Sequence, residues 1–470
     1  MDPESESASQ PRVFFTAPWN PVVIRRGDAL GLRALADHLA DAVAPDLSNR
    51  TSDGRWVTIL AWCLCRSHSV FHKTGRRHVG TRALERERYA WLRPLELMWV
   101  VRTIQLAEED WSERPLPGQR RVKPWLAYDP AADRFSMRPD QYRAYRQTGS
   151  YGGYRLAFRK WPRMTRGGDG WTPDVAALRL AEWLERKLGS ARPSFGLQAG
   201  ISEEDDIPNS HWNTWQGTEE RWWLKNWPEF ASGGKTAEIN TLPRRFDDFS
   251  VLPEANLLKP IAFGSDPSGK RRTEVAKLVC QAKAVDHQGV VDYLADSLPQ
   301  DEAVQVIPLF ARLADAGMRI MGLIWSRLGK TETLRLSDLK DLPEARKNCA
   351  ALIEAARAWQ ARPGFSIRHI EMGDRFAAAV SGNSVRQCLK SVIDHHERSG
   401  GGMRWFVLRD DVIVPRAAPG AESSNYRFRL WSLCRLATQC GVIPYVPRAI
   451  VTDGLEDREA DDSATGSYDD

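Results

Sequence analysis

At 470 residues the chain is too long for one ordinary core, and length alone points to two to four domains. Hydrophobic residues make up 42% and charged residues 27%, the balance of a soluble globular protein, and no apolar run reaches a membrane span, so no membrane partner is expected. The net charge of +5 conceals an asymmetry, since positions 51–200 hold 27 basic and 15 acidic side chains while 451–470 hold eight acids and one arginine.

A basic amino-terminal half with an acidic tail fits a polyanion binder that carries its own competitor. A solvated tail that aids solubility is the plainer alternative. Seven cysteines at 63, 65, 280, 349, 388, 434 and 440 form no disulfide framework and suit reduced, buried thiols. Met1 to Gln10 is polar and acidic, unlike a signal peptide, so a cytoplasmic location is expected.

In chain order, residues 1–12 are expected to be disordered and 13–130 to form a helical domain. Asp28 can cap a helix with the apolar face Leu32, Leu35, Ala36, Leu39 and Val43, ended near Pro45. Trp56 to Cys65 reads as a buried helix, and 81–108 as a helical pattern broken at Pro94. Residues 131–270 form a basic-aromatic and Trp-rich region. Within it, Thr172-Pro173-Asp174 starts a helix through Leu188. Residues 271–362 read as a central helical domain with helices at 272–284, 288–298, 305–328 and 344–360. Residues 363–450 read as α+β, with a helix at 382–397, a hairpin at 404–414 and a closing helix from Tyr426 to Cys440. The segment 451–470 is an acidic tail. The expected fold class is mainly α and multi-domain, with a small carboxy-terminal β-hairpin in a winged-helix-like order.

The richest stretch is Tyr142–Arg166, with seven Lys or Arg, six aromatics and no acid. Cations neutralise phosphates and flat rings stack on bases, so nucleic acid is the expected partner. Gly149, Gly152 and Gly153 make the stretch read as a loop. Arg143, Arg146, Arg155, Arg159, Lys160, Arg163 and Arg166 would meet phosphates, while Tyr151, Tyr154 and Trp161 would stack or wedge. The alternative is a surface loop whose rings pack back on the core. Trp212, Trp215, Trp222, Trp223 and Trp227 are candidate anchors for a protein partner. Arg404, Arg409 and Arg416 around the hairpin could meet backbone phosphates.

Catalytic signatures fail on their details. Gly264 to Lys270 matches a phosphate loop, but Arg271 stands where Ser or Thr should hold magnesium, and Pro260 interrupts the strand that should precede it. Cys63 and Cys65, with His68, His72 and His78 nearby, resemble zinc spacing, but two residues apart on a helix they point away from each other. Asp174 with Glu185-Arg186-Lys187 mimics a nuclease core but lies on a helical pattern. His395 and His396 read as cations at a helix C-terminus. No catalytic residue, metal site or cofactor is expected.

The run Asp28-Ala29-Leu30-Gly31-Leu32, then Pro45-Asp46-Leu47-Ser48, Thr51, Arg55-Trp56 and Leu60-Ala61-Trp62, resembles an uncharacterised, mostly helical bacterial family. That family is encoded beside helicases and nucleases in restriction and phage-defence gene clusters. Ala311–Leu328 and Tyr426–Arg429 are similar too, although Trp56 stands where members tend to have Tyr. The resemblance implies work beside DNA-processing machinery and assigns no functional residue. The expectation is therefore a non-catalytic, DNA-engaging accessory subunit of an anti-phage defence system that docks a helicase or nuclease. A metal-dependent nuclease with acids from distant segments, and a scaffold without nucleic-acid binding, are the alternatives.

Overall fold

The computed structural model describes residues 28–73, 88, 89, 91–93, 95, 96, 99, 100, 149–188, 250–329, 333–380, 384–399, 404–416 and 427–451. Arg143, Arg146, the five tryptophans at 212–227 and the acidic tail lie outside the described residues. Among these residues helices dominate, joined by one small antiparallel sheet. Among the described residues no helix is long and apolar enough to cross a membrane.

Helix α1 (Arg33–Val43) follows Asp28, whose carboxylate oxygens accept hydrogen bonds from the Leu32 and Arg33 amides at 2.8 and 3.0 Å. This satisfies two of the amides that a helix start leaves unpaired. Helix α2 (Gly54–Lys73) is buried on all sides through its first half, as its apolar run requires. It packs against α3 (Ser150–Lys160) and α4 (Val175–Leu188). Helix α4 opens later than expected. Pro173 stays outside it in a bridge with Thr165, and Asp174 Oδ1 accepts from the Val175 amide at 2.7 Å.

Next come α5 (Ala255–Ala262), α6 (Pro267–Gln281), α7 (His287–Ser297) and α8 (Glu302–Leu328). Asp266, Asp286 and Asp301 cap the last three by accepting from the amides of Gly269, Gly289 and Val304 at 3.0, 2.8 and 3.1 Å. These caps move the helix starts several residues upstream of those expected at 272 and 305. Pro260 lies inside α5, so the stretch before Gly264 is a helix rather than a strand. The would-be phosphate loop thus joins two helices, and the Asp266 carboxylate occupies the amide that would face an anion.

The chain continues through β1 (Leu334–Arg335), α9 (Leu336–Lys340), α10 (Pro343–Gln360), α11 (Ile370–Val380), α12 (Val385–Ser399), β2 (Phe406–Arg409), β3 (Val412–Pro415) and α13 (Leu430–Gln439). The hairpin lies where expected. Asp410 and Asp411 turn it with φ of 48° and 70°, the left-handed pair that a two-residue hairpin needs. A third strand, β1, joins β3, giving the order β1-β3-β2. Helix α8 lies at the centre, against α1, α7, α10 and α12. One hydrophobic cluster runs from Ala29 to Ile450 and crosses the expected boundaries at 130, 270 and 362.

Buried polar groups cross the same core in matched pairs. Arg55 donates to Glu254 at 2.5 and 3.0 Å. Asp53 accepts from Arg435 at 3.2 Å, and Gln439 Oε1 accepts from the Gly54 amide at 2.7 Å. Arg272, fully buried, donates to the carbonyls of Ala262 and Pro45 at 2.6 and 2.8 Å. His395 and His396 are not the cations expected at a helix end. Burial pushes both rings down from the usual imidazole range. His396 Nε2 accepts from the Trp405 amide at 2.9 Å, which leaves Nδ1 to donate to the Ala29 carbonyl at 2.8 Å.

Candidate nucleic-acid interface

The basic-aromatic stretch is a helix with a knuckle behind it, not a loop. Gly152 and Gly153 lie inside α3. Gly153 is there for closeness, since an added Cβ would meet the Arg50 side chain at 3.1 Å. Its carbonyl accepts from Ser48 Oγ at 2.7 Å, so α3 lies directly against the 48–51 turn.

Tyr151, Tyr154 and Phe158 recur at helical spacing and face the core, with exposures of 1%, 0% and 0%. The Tyr154 hydroxyl accepts from the Asp53 amide at 3.1 Å. The Tyr151 ring lies 4.9 Å from that of Trp171. Trp161 is 2% exposed, beneath the Arg272 guanidinium at 5.6 Å. Tyr151, Tyr154 and Trp161 therefore cannot stack on bases, which corrects the role expected for them. Their rings are worth more to the core than to a wet groove, because each buries a large apolar surface. Arg155 is half-buried over Trp171 at 5.4 Å and serves packing.

Arg159, Lys160, Arg163 and Arg166 are the exposed part of the stretch. None has a carboxylate partner among the described residues. The backbone holding them is closely hydrogen-bonded. Thr165 Oγ1 donates to the Phe158 carbonyl at 2.8 Å and accepts from the Gly170 amide at 3.0 Å. The Arg163 and Met164 carbonyls accept from the amides of Ala176 and Asp174 at 3.0 and 3.1 Å. The turn closes tightly around Arg159. Gly168 and Gly170 have φ of 67° and 77°, and a Cβ on either would meet Arg159 atoms at 2.8 Å. Asp169 lies within the same turn. Three hydrogen bonds from Trp171 and Thr172 and the Arg88 guanidinium hold its carboxyl below the usual range against the effect of its partial burial. The result is a knuckle that presents four cations from a fixed backbone.

The acids weighed for catalysis are engaged elsewhere. Asp174 caps α4, and Glu185 accepts from Trp62 Nε1 at 2.6 Å while pairing with Arg66. Cys63 is fully buried and Cys65 half-buried on α2, with burial pushing the Cys65 thiol up to about 12. Among the described residues no group of three or more His, Cys, Asp or Glu is placed to hold a metal. An open depression of about 600 Å³ lies between α1 and the α7–α8 turn. Its acids Asp301 and Glu302 bond to the amides of Val304 and Ser366.

Comparison of the chain with protein-family models, curated proteins and solved structures finds no match.

Proposed function

We propose that the protein is a non-catalytic, nucleic-acid-engaging accessory subunit that grips phosphates through Arg159, Lys160, Arg163 and Arg166. The observation that supports this reading is the knuckle itself, with four exposed cations on a hydrogen-bonded turn and no carboxylate partner for them among the described residues. Phosphate contact needs only positioned positive charge, whereas base reading needs groups that reach base edges. The grip is therefore expected to be strong in low salt and indifferent to sequence. The family resemblance in the Asp28–Trp62 segment supplies the setting, a bacterial defence system in which a helicase or nuclease performs the chemistry. The nuclease alternative draws no support from Asp174 or Glu185, since both acids are held by structural partners.

The test is binding of the purified chain to labelled DNA across a salt series, with magnesium present and cleavage monitored. Replacing Lys160, Arg163 and Arg166 by Gln should flatten the dependence of log affinity on log salt by about two to three units. An unchanged slope removes the knuckle from the interface, and cleavage by the isolated chain overturns the non-catalytic reading.

A further inference from the structure

The three-stranded sheet places in one row two arginines that the sequence keeps far apart. Arg335 of β1 pairs with Val412 of β3, and Val412 pairs with Arg409 of β2. Paired residues share a face, so Arg335, Val412 and Arg409 form one row across the sheet. The neighbouring row, Leu334, Ile413 and Leu408, lies on the opposite face, where Ile413 is fully buried. Phe406 shares that inner face and lies 5.1 Å from the His396 ring of α12. Arg335 and Arg409 are consequently on the outer face, and both are exposed.

The hairpin is clamped along α12. The His396 and Glu397 side chains accept from the Trp405 and Leu408 amides at 2.9 and 2.7 Å. At the other end Arg386 donates to Asp411 at 2.9 Å, and the Asp411 carbonyl accepts from the Leu336 amide at 2.9 Å. The strand thus runs back along the helix, and its turn ends beside the first turn of α12. The inner stripe of that helix, Cys388, Leu389, Val392, Ile393 and His396, is buried. Its outer stripe begins with Arg386, Gln387 and Lys390, all exposed. Arg335, Lys390 and Arg409 have no carboxylate partner among the described residues. Asp411 is matched by Arg386, which leaves Asp410 as the acid at the turn.

We propose that α12 and the hairpin beside it form a second nucleic-acid surface, specific for duplex DNA and separate from the knuckle. The first two turns of α12 enter the major groove, while Arg409 and Arg335 lie on the flanking phosphates. A B-form major groove about 12 Å wide admits a helix. The deep, narrow groove of A-form RNA does not. A single strand calls for exposed aromatic platforms, and here Trp405 and Phe406 are 5% and 0% exposed. Gln387 is of the type that reaches base edges, so this surface confers sequence preference, which the knuckle cannot.

The experiment uses the full chain with duplex DNA, single-stranded DNA and duplex RNA of equal length. The variant Arg335→Gln, Lys390→Gln, Arg409→Gln is compared with the knuckle variant Lys160→Gln, Arg163→Gln, Arg166→Gln, each checked by thermal melting. The sheet variant should weaken duplex DNA binding at least about tenfold while leaving single-strand binding unchanged, whereas the knuckle variant weakens both. Replacing the same three sheet and helix positions by Arg or Lys of like charge (Arg335→Lys, Lys390→Arg, Arg409→Lys) should keep duplex affinity, which separates charge from folding. Equal loss for single and double strands, equal binding of duplex RNA, or no change in duplex affinity overturns the proposal. Loss of an acidic protein partner from this face, without a DNA effect, overturns it as well. Binding lost in the knuckle variant alone would leave the proposed function standing and remove only the second surface.

Discussion

Arg55 and Glu254, 199 positions apart in sequence, meet in a two-point ion pair with 2% and 0% of their side chains exposed. The guanidinium is also stacked over Trp183 at 5.1 Å. The pair ties the start of α2 to the start of α5, beside the polar groups that join Asp53 and Gly54 to Arg435 and Gln439 of α13.

Glu254→Gln leaves the Arg55 charge buried without its counter-ion. Removing one partner of such a pair typically costs about 3–5 kcal/mol. The expected result is a large drop in the urea midpoint. The double change Arg55→Met, Glu254→Leu should lose much less, because it removes both desolvated charges. Equal losses in the two variants would refute the assignment of the effect to an uncompensated charge.

Glu96 gives a stability that depends on pH. Burial pushes its carboxyl up to about 7, although the Tyr89 hydroxyl and the Tyr151 amide donate to it at 2.7 and 2.8 Å. A carboxyl with a folded-state value above its unfolded one holds its proton more tightly when folded. Its contribution is therefore fully present below the unfolded value near 4.5 and is lost as pH rises through about 7. The loss amounts to about 3 kcal/mol at most. Glu96→Gln should abolish that slope between about pH 4.5 and 7, as read from denaturation midpoints at fixed temperature. A wild-type slope that survives the change would assign the effect to another group.

Gly373 is fixed by the ring opposite it. A Cβ at this position would fall 2.3 Å from Trp359, whose indole nitrogen donates to Asp374 at 2.9 Å. Gly373→Ala gains helix propensity of about 1 kcal/mol. Overpacking costs about 1–3 kcal/mol, and here it falls on a locked indole, so the net effect should be destabilising. A melting temperature at or above that of the wild type would show that the indole can yield.

The thiols should divide by burial. Cys63, Cys349, Cys388, Cys434 and Cys440 are buried, while Cys65 and Cys280 are half-buried. Native protein treated with iodoacetamide at pH 8 should lose only Cys280 quickly, with Cys65 slow because burial pushes its thiol up to about 12. Mass spectrometry after limited reaction measures this. Fast modification of Cys434 or Cys440 would contradict the packing of α13.

Much of the helical architecture was legible because apolar periodicity reports it directly, as at Leu32, Leu35, Leu39 and Val43. Helices α6 and α8 start earlier than apolar periodicity indicates, at the capping signals Asp266-Pro267 and Asp301-Glu302. Strand β1 is two residues long, too short for any pattern, and its pairing with β3 is a tertiary fact. The candidate site was half legible. The charge at Arg159, Lys160, Arg163 and Arg166 is exposed on the knuckle, as unpaired cations favour water. Gly152 and Gly153 suggest a loop, and that reading hides the inward facing of Tyr151 and Tyr154, which Phe158 shares. Their spacing of three and four residues was the helical sign that outranked the glycines. The Arg55–Glu254 pair was beyond reach, since no local pattern selects a partner 199 positions away.

The same pair and its neighbours bear on covalent continuity. Asp53 and Arg55 grip Arg435 and Glu254, and Ser432 Oγ reaches the Asn49 carbonyl at 2.9 Å. The segments before residue 189 and after residue 249 interlock rather than adjoin. If the backbone were severed between residues 189 and 249, the two pieces would remain fitted together. A protease-clipped sample should then show two bands on a denaturing gel and one peak by size exclusion, and fragments expressed separately should reassemble by complementation.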